Sequence, residues 1–455
     1  MRQEFEEQND TRYSIRGIAL QTIFHYRTYK KTYKFLKKSQ FWNREKLEKY
    51  QLQQLSKLLN QAYTNVPYYR KLFDEKNLKP EDIKSIEDLQ KIPYLTRKDI
   101  KDNIEELKAK NYPKSKFELS WTGGSTGKLL IFYIEKGVWM SELMAYGRIQ
   151  MEWAGHSLFD KGVQISGNEK PYQYQLLGRT LVLSSFCMND EYLPIFIKKI
   201  QRLKPKYIRG YPSALTNLAK YMKKNNIESF PSVKSIICFA ETLYDWQREF
   251  LENIFKCHIY NHYGLRESVA IGGTCSHTDY FHMFPEYGII ELIGKDGKPV
   301  KKEDEIGEIV GTGFHTHIFP FIRYRTGDLG VYTNKKCSCG NNYTLLKKIE
   351  GREQELVVLK SKQIMPLTGI YGLVEMSSPN VNIYQYYQER EGELVLNIVK
   401  TQDYSEKDSQ EIKQKFQKKF GNELNLTISF VDEIPLTKRG KHKLLIQNLP
   451  VKYAP

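Results

Sequence analysis

The chain reads as an α/β protein. A large amino-terminal domain with mostly parallel, helix-covered sheets and a β-rich subdomain precedes a small α+β carboxy-terminal domain. Three observations predict this. Between residues 160 and 260, short apolar runs alternate with helical segments, the pattern of parallel strands covered by their connecting helices. From 286 to 333 the pattern becomes strand and turn, with Gly294-Lys295-Asp296-Gly297 joining strands expected at 288–293 and 307–312. Beyond Gly351 the pattern restarts for about 100 residues, a size suited to an independent domain. The expected division is therefore 1–350 and 351–455.

Taken in order, Leu52, Leu55, Leu58, Leu59 and Ala62 recur at helical spacing and predict a helix over 44–63, stopped by Pro67. Short helices over 82–90 and 96–107 are separated by Pro80 and Pro93. A strand over 129–134 follows a glycine-rich stretch and leads to a helix over 137–153. Strands at 163–166, 180–183, 207–210, 235–239 and 258–260 then alternate with helices at 192–203, 213–224 and 244–255. Ser213 is the expected cap of the second. Ligands belong at the carboxyl ends of such strands, where Gly210-Tyr211-Pro212-Ser213, Ala240-Glu241 and Tyr263-Gly264 fall. In the last unit a strand pair near 354–365, a helix at 367–375, a strand at 393–400, a helix at 405–419 and a strand at 424–431 are expected.

The 455 residues are 40% hydrophobic and 27% charged, ordinary for a soluble globular chain. No stretch approaches 18 consecutive apolar residues, and the acidic start Met1-Arg2-Gln3-Glu4-Phe5-Glu6-Glu7 is unlike a signal peptide, so a cytosolic location is expected. The 6 cysteines are too scattered for a disulfide scaffold, leaving metal-binding, reactive or buried thiols. Cys187, Cys238 and Cys257 sit in apolar settings and read as core. The net charge of +17 is spread through a lysine-rich chain with no nucleic-acid motif, which argues against a specific nucleic-acid partner. One cluster stands out: Tyr26-Arg27-Thr28-Tyr29-Lys30-Lys31-Thr32-Tyr33-Lys34-Phe35-Leu36-Lys37-Lys38, after an apolar run over 15–24. Such a helix either rests on an anionic membrane or partner, or packs its aromatics into its own domain.

The stretch Trp121-Thr122-Gly123-Gly124-Ser125-Thr126-Gly127-Lys128 reads as a phosphate loop, because glycines let backbone N–H groups and hydroxyls gather around an anion. A plain turn between strands is the alternative. It is not a P-loop, since Thr122 stands where the first glycine is needed and Leu129 follows the lysine. Nor is it a dinucleotide fingerprint, which opens a helix. Downstream come Ala240-Glu241-Thr242, Tyr263-Gly264-Leu265-Arg266-Glu267-Ser268, Tyr324-Arg325-Thr326-Gly327-Asp328, Gly351-Arg352 and Pro435-Leu436-Thr437-Lys438-Arg439-Gly440-Lys441.

In that order the motifs resemble the adenylate-forming superfamily of acyl-CoA synthetases, luciferases and peptide-synthetase adenylation domains. Within it the likeness is to the phenylacetate-CoA ligase branch and the capsular polysaccharide biosynthesis adenylate-forming enzymes. Asn65-Val66-Pro67-Tyr68-Tyr69-Arg70 and Ile92-Pro93-Tyr94-Leu95-Thr96-Arg97-Lys98-Asp99 look like that branch's amino-terminal region, so the likeness spans nearly the whole chain. It implies a ligase that turns ATP and a carboxylic acid into an acyl-adenylate and pyrophosphate, then passes the acyl group to CoA or to an amine of a sugar or amino acid. By motif position Ser125, Thr126 and Gly127 would hold the β- and γ-phosphates. Glu267 would hold Mg2+, a hard ion suited to a carboxylate. Asp328 would accept from the ribose hydroxyls, and Tyr263, with Gly264 beside it, would lie against adenine. Ala240 and Glu241 match the nucleotide-facing turn, while Tyr211, Ser213, Phe239 and Ala240 would border the acid's pocket.

Lys441 matches the lysine that reaches the acyl phosphate, a mobile point charge arriving with its domain. The plainer reading is a basic tail of Lys438, Arg439, Lys441 and Lys443. Gly351-Arg352 marks the hinge of a mobile carboxy-terminal domain, with Gln354 where the family usually has aspartate and Glu355 behind it. The run 359–364 replaces the glycine-rich turn of CoA-using members, and the phosphate loop lacks a proline after Lys128. Cys337-Ser338-Cys339-Gly340 and Thr274-Cys275-Ser276-His277 with His282 are consistent with a metal site, a redox pair or chance. In the resembling branch these stretches bind a structural zinc, which implies Cys275, Cys337, Cys339 and His282 as ligands, with His277 as the alternative fourth. A different class also fits the charge: a non-catalytic relative that binds nucleotide and acts through a basic membrane- or partner-binding surface.

Overall fold

The computed structural model describes residues 26–122, 130–136, 138–352, 355–370, 372–378, 380–437, 440–451 and 453. The expected apolar segment before Tyr26 lies outside them. The amino-terminal helices are α1 (Tyr26–Ser39), α2 (Arg44–Asn65), α3 (Pro67–Glu75) and α4 (Arg97–Asp102). In α2 the stripe of Leu47, Leu55, Leu58, Leu59 and Ala62 is buried, and Asn43 caps the helix by accepting from the Lys46 N–H. Pro67 does more than stop this helix. It opens α3 at the first position, where a missing N–H leaves no bond unmade. The expected helix at 82–90 is two short 3-10 turns, Pro80–Asp82 and Glu87–Lys91. α4 is shorter than expected and is opened by a Thr96–Asp99 capping box.

An antiparallel hairpin of β1 (Phe117–Thr122) and β2 (Leu130–Glu135) leads to α5 (Val138–Trp153). There follow β3 (Gly162–Ser166), β4 (Tyr172–Gln175), β5 (Thr180–Ser184), α6 (Leu193–Leu203), β6 (Tyr207–Gly210), α7 (Pro212–Lys224), β7 (Ser235–Phe239), α8 (Asp245–Phe255) and β8 (His258–Gly264). The helical connections cease there. β9 (Ile271–Cys275), β10 (Thr278–Met283), β11 (Gly288–Ile293), β12 (Ile306–Gly313), β13 (Tyr324–Tyr332) and β14 (Leu345–Arg352) complete the sheet. Its order is β11-β12-β13-β14-β10-β9-β8-β7-β6-β3-β5-β4. Strands β5, β3, β6, β7 and β8 run parallel, and every pairing from β8 to β11 is antiparallel. The helix-covered and β-rich parts are thus two halves of one sheet that share β8.

Ser213 does not cap α7. The N-cap is Tyr211, and the Ser213 N–H and hydroxyl donate to Glu241 at 3.0 and 3.1 Å. The carboxylate after β7 therefore satisfies the helix start from across the sheet. One core packs the parallel strands against α6, α7 and α8 through Phe196, Ile200, Leu215, Leu218 and Ile236. Another packs α2 and α3 against Phe132, Phe319, Phe321 and Tyr324.

Beyond Arg352 the chain forms a hairpin of β15 (Leu356–Val358) and β16 (Ile364–Pro366), then β17 (Val381–Arg390), β18 (Glu393–Lys400), α9 (Glu406–Phe420), β19 (Asn425–Phe430) and β20 (Leu445–Gln447). The second sheet has the order β19-β18-β17-β20, with Leu394, Leu396 and Ile398 packed against Ile412 and Phe416 of α9. The helix expected at 367–375 is only a 3-10 turn, Leu367–Gly369. No described helix is long and apolar enough to cross a membrane.

Candidate active site and metal centre

Strand register brings together the residues expected on the nucleotide side. Asp328 on β13 and Arg352 on β14 are cross-strand partners, and Arg352 Nε lies 3.1 Å from Asp328 Oδ1. Tyr263 on β8 donates its hydroxyl to Asp328 Oδ2 at 2.8 Å. The Asp328 charge holds the Arg352 guanidinium above its ordinary range, and burial beside Asp328 raises the Tyr263 phenol. Glu267, buried in the turn after β8, accepts from the Tyr324 hydroxyl at 3.1 Å. Burial raises its carboxyl pKa, opposed by the nearby charges of Arg352 and Arg97. Gly264 is exposed at the strand's end. Ser125, Thr126 and Gly127 lie outside the described residues, between β1 and β2.

Ala240, directly after β7, holds φ of 64°, a left-handed conformation that L-residues rarely adopt. Its carbonyl accepts from Lys441 Nζ at 2.7 Å. The same ammonium stands 5.4 Å from the Tyr211 ring centre. Lys441 is carried by a tight turn in which the Thr437 N–H donates to the Lys441 carbonyl at 2.9 Å and the Gly440 N–H to the Thr437 carbonyl at 2.8 Å. Gly440 has φ of 69°, and a Cβ there would overlap Ser185 Oγ and crowd Phe186. Glu241, besides holding Ser213, receives the His442 backbone N–H; burial raises its pKa against these bonds. The residues around Lys441 are therefore seated on the amino-terminal part by a glycine contact and a shared carboxylate.

Glu355 packs against the Gly351–Arg352 backbone. Its carboxylate accepts from the Arg352 N–H at 3.3 Å and the Thr242 hydroxyl at 3.5 Å, against Gly351, whose φ of 101° suits glycine alone. Two arginines with no assigned role from sequence also face this region. Arg97 donates to Thr122 Oγ1 at 3.1 Å, and Arg266 donates to Ser120 Oγ at 2.9 Å, both on the strand that enters the glycine-rich stretch. Arg266 lies inside a quoted motif, and Arg97 follows the Thr96 cap, but only the β1 pairing reveals that they converge.

Four candidate metal ligands meet. The atoms Cys275 Sγ, His282 Nε2, Cys337 Sγ and Cys339 Sγ all lie within 4.8 Å of one another. Cys275 and Cys337 sulfurs are 3.6 Å apart, and His282 Nε2 is 3.3 Å from Cys275 Sγ and 3.8 Å from Cys339 Sγ. The His277 ring instead faces Ser338 Oγ at 3.3 Å, so of the two histidines it is His282 that joins the sulfurs.

With the geometry in place, comparison with known proteins gives a consistent result. The CapK C-terminal domain family matches residues 357–448. Protein CapK of Staphylococcus aureus is 26% identical over 412 residues, covering 88% of this chain and 89% of that protein. A phenylacetate-coenzyme A ligase of Thermus thermophilus is 26% identical over 375 residues, 77% of this chain and 80% of the relative. Among solved structures, 2-hydroxyisobutyryl-CoA ligase in its postadenylation state superposes with a TM-score of 0.73 at 16% identity, covering 90% of each chain. The same ligase in its thioesterification state gives 0.58 at 17% identity over 89% of this chain and 90% of that one. The fold is that of the adenylate-forming ligases. The chain is a homologue of CapK and the phenylacetate-CoA ligases and carries a CapK carboxy-terminal domain.

The glycine contact leads to a prediction. Gly440→Val should unseat the Lys441 turn and enlarge the particle; small-angle X-ray scattering is expected to show a larger radius of gyration than wild type, and an unchanged radius would mean that the contact does not hold the two parts together.

Proposed function

We propose that this chain is a cytosolic enzyme that adenylates a carboxylic acid with Mg-ATP, releases pyrophosphate, and passes the acyl group to CoA or to an amine of a sugar or amino acid. The observation that carries the reading is Lys441, brought within 2.7 Å of the Ala240 carbonyl beside the nucleotide-facing residues. In the first step an oxygen of the acid attacks the α-phosphorus of ATP, the bond to the bridging oxygen breaks, and pyrophosphate departs. Lys441 offsets the negative charge that gathers as two anions meet. Asp328, oriented by Arg352 and Tyr263, receives the ribose hydroxyls, and Tyr263 with Gly264 lines the adenine side. Ala240 and Glu241 form the wall between nucleotide and acid, and Ser125, Thr126 and Gly127 hold the outer phosphates. Glu267 would hold Mg2+, which would supply charge neutralisation for the departing pyrophosphate.

The domains divide at 351. Gly351 and Arg352 form the hinge, and residues 351–455 move as a unit after adenylation to bring in the acceptor. The sequence resemblance to capsular polysaccharide enzymes favours an amine acceptor and the likeness to phenylacetate-CoA ligases favours CoA; the run 359–364, which turns back between β15 and β16, stands where CoA-using members have glycines.

Cys275, His282, Cys337 and Cys339 hold a structural zinc. A tetrahedral zinc with bonds of about 2.3 Å to sulfur would set sulfurs about 3.8 Å apart, close to the 3.6 Å between Cys275 and Cys337. Three soft sulfurs and one imidazole leave no open position, which makes the metal a staple rather than a reagent.

A second reading concerns α1. Arg27, Lys30, Lys31, Lys34 and Lys38 fall within about 100° of helix arc at 3.6 residues per turn, while Tyr29, Tyr33 and Leu36 face α5 and Lys37 pairs with Glu152 there at 2.9 Å. This one-sided stripe suits peripheral contact with an anionic membrane.

Three outcomes are expected. Lys441→Ala should lower acid-dependent ATP–pyrophosphate exchange by about 10²–10³-fold while ATP binding, read by calorimetry, changes little; equal loss of both would reassign the lysine. Elemental analysis of protein purified without chelator should find about one zinc per chain, falling on Cys337→Ser. Co-sedimentation with phosphatidylglycerol vesicles should be lost when Lys30, Lys31 and Lys34 become glutamate, with exchange activity retained; equal sedimentation of wild type with neutral vesicles would sink the membrane reading.

A further inference from the structure

Beyond Lys441 a row of aromatic and cationic side chains continues along the sheet. The Lys441 ammonium lies over Tyr211, the Tyr211 ring centre is 5.3 Å from that of Phe239, and the Arg209 guanidinium lies 4.8 Å from the Phe239 ring centre. The register explains the succession. Arg209 on β6 pairs with Ile237 on β7, Phe239 pairs with His262 on β8, and Gln164 on β3 is the other neighbour of Arg209. In a pleated sheet these alternate residues share one face, so Gln164, Arg209, Phe239 and His262 surround one spot at the carboxyl ends of the parallel strands.

Two atoms at that spot are unusual. Arg209 Nε and His262 Nε2 are both buried without a hydrogen-bond partner. Among the described residues no carboxylate faces Arg209; the titratable groups beside it are Tyr207 and His262. Burial, with the Arg209 charge beside it, lowers His262 to about 3, which leaves a neutral imidazole able to offer one hydrogen bond. A half-buried guanidinium whose Nε is sealed from solvent, with no counter-ion, is costly, and the cost falls when a ligand supplies the anion. Arginine's planar fork also matches a carboxylate or phosphonate better than a hydroxyl.

We propose that Arg209 reads a second anionic group on the acid, so that the substrate class is dicarboxylic or comparably dianionic acids rather than simple aryl- or alkyl-acetic acids. The acid's reacting carboxylate lies by Lys441 and Ala240, Tyr211 and Phe239 flank its spacer, and its distal anion meets Arg209 and His262. This rests on the adenylation reading and names the substrate of that same site.

The test uses matched pairs, butyrate against succinate and phenylacetate against homophthalate, with two readouts: ATP–pyrophosphate exchange, and acid binding by calorimetry with a non-hydrolysable ATP analogue. In at least one pair the dianionic acid should be favoured by about 10–100-fold, the worth of a charge-assisted hydrogen bond. Arg209→Met should remove that preference and raise the thermal midpoint of the unliganded protein, and Arg209→Lys should keep part of the preference. Exchange that favours the apolar members, or a ratio unchanged in Arg209→Met, overturns the pocket assignment and leaves adenylation standing. Arg209-dependent binding without exchange for any acid supports the pocket and sinks adenylation. No response to either dianionic acid overturns the proposal.

Discussion

The contact on which the rest of the site depends is the cross-strand pair of Asp328 and Arg352. It joins two roles that lie far apart in chemical terms, the carboxylate expected to receive a ribose and the backbone at the start of the carboxy-terminal part. With side-chain exposures of 35% for Arg352 and 6% for Asp328, the pair is anchored on one side and reached by solvent on the other. Solvent screening limits its contribution to stability. Its value is orientation: Tyr263 takes the second oxygen of Asp328, Glu355 takes the Arg352 N–H, and Gly351 supplies the backbone geometry between them. Asp328 is thereby tied to the strand end that leads into the carboxy-terminal part.

The Lys441 turn also makes polar contacts with the amino-terminal part. Glu241 is shared between the start of α7 and the His442 N–H, and the Lys441 ammonium rests on one carbonyl. Interfaces of this kind within a chain permit relative motion, in contrast to the apolar cores on either side. The left-handed Ala240 fits the same picture, since strained backbone tends to persist where surrounding structure and function over-determine it.

Much of the fold was legible in the sequence because helix and strand periods are local. The Leu55–Leu58–Leu59 stripe and the alternation through β3, β6, β7 and β8 appear as expected. Where reading failed, a non-local effect decided the outcome. Pro67 fits a helix start as well as a helix stop, and the distinction depends on the next residues folding back. The helix expected over 367–375 yields to a 3-10 turn, and β17, with aromatic and polar residues interleaved, was passed over although it pairs with β18 and β20. At the site, motif order pointed to Asp328, Arg352 and Lys441 separately, but their partners follow from register and docking. The same holds for His282 over His277, for Arg97 and Arg266 beside β1, and for Arg209, an ordinary basic residue in a lysine-rich sequence until its neighbours are known.

The close approach of Gly440 to Ser185 has an evolutionary consequence. Ser185 follows β5 at one end of the large sheet's parallel half, whereas Gly440 belongs to the turn that carries Lys441, and a Cβ on Gly440 would overlap Ser185 Oγ. A lineage that exchanged its carboxy-terminal unit for that of a relative would inherit a mismatch here unless both surfaces came together. The two positions are thus expected to change as a pair.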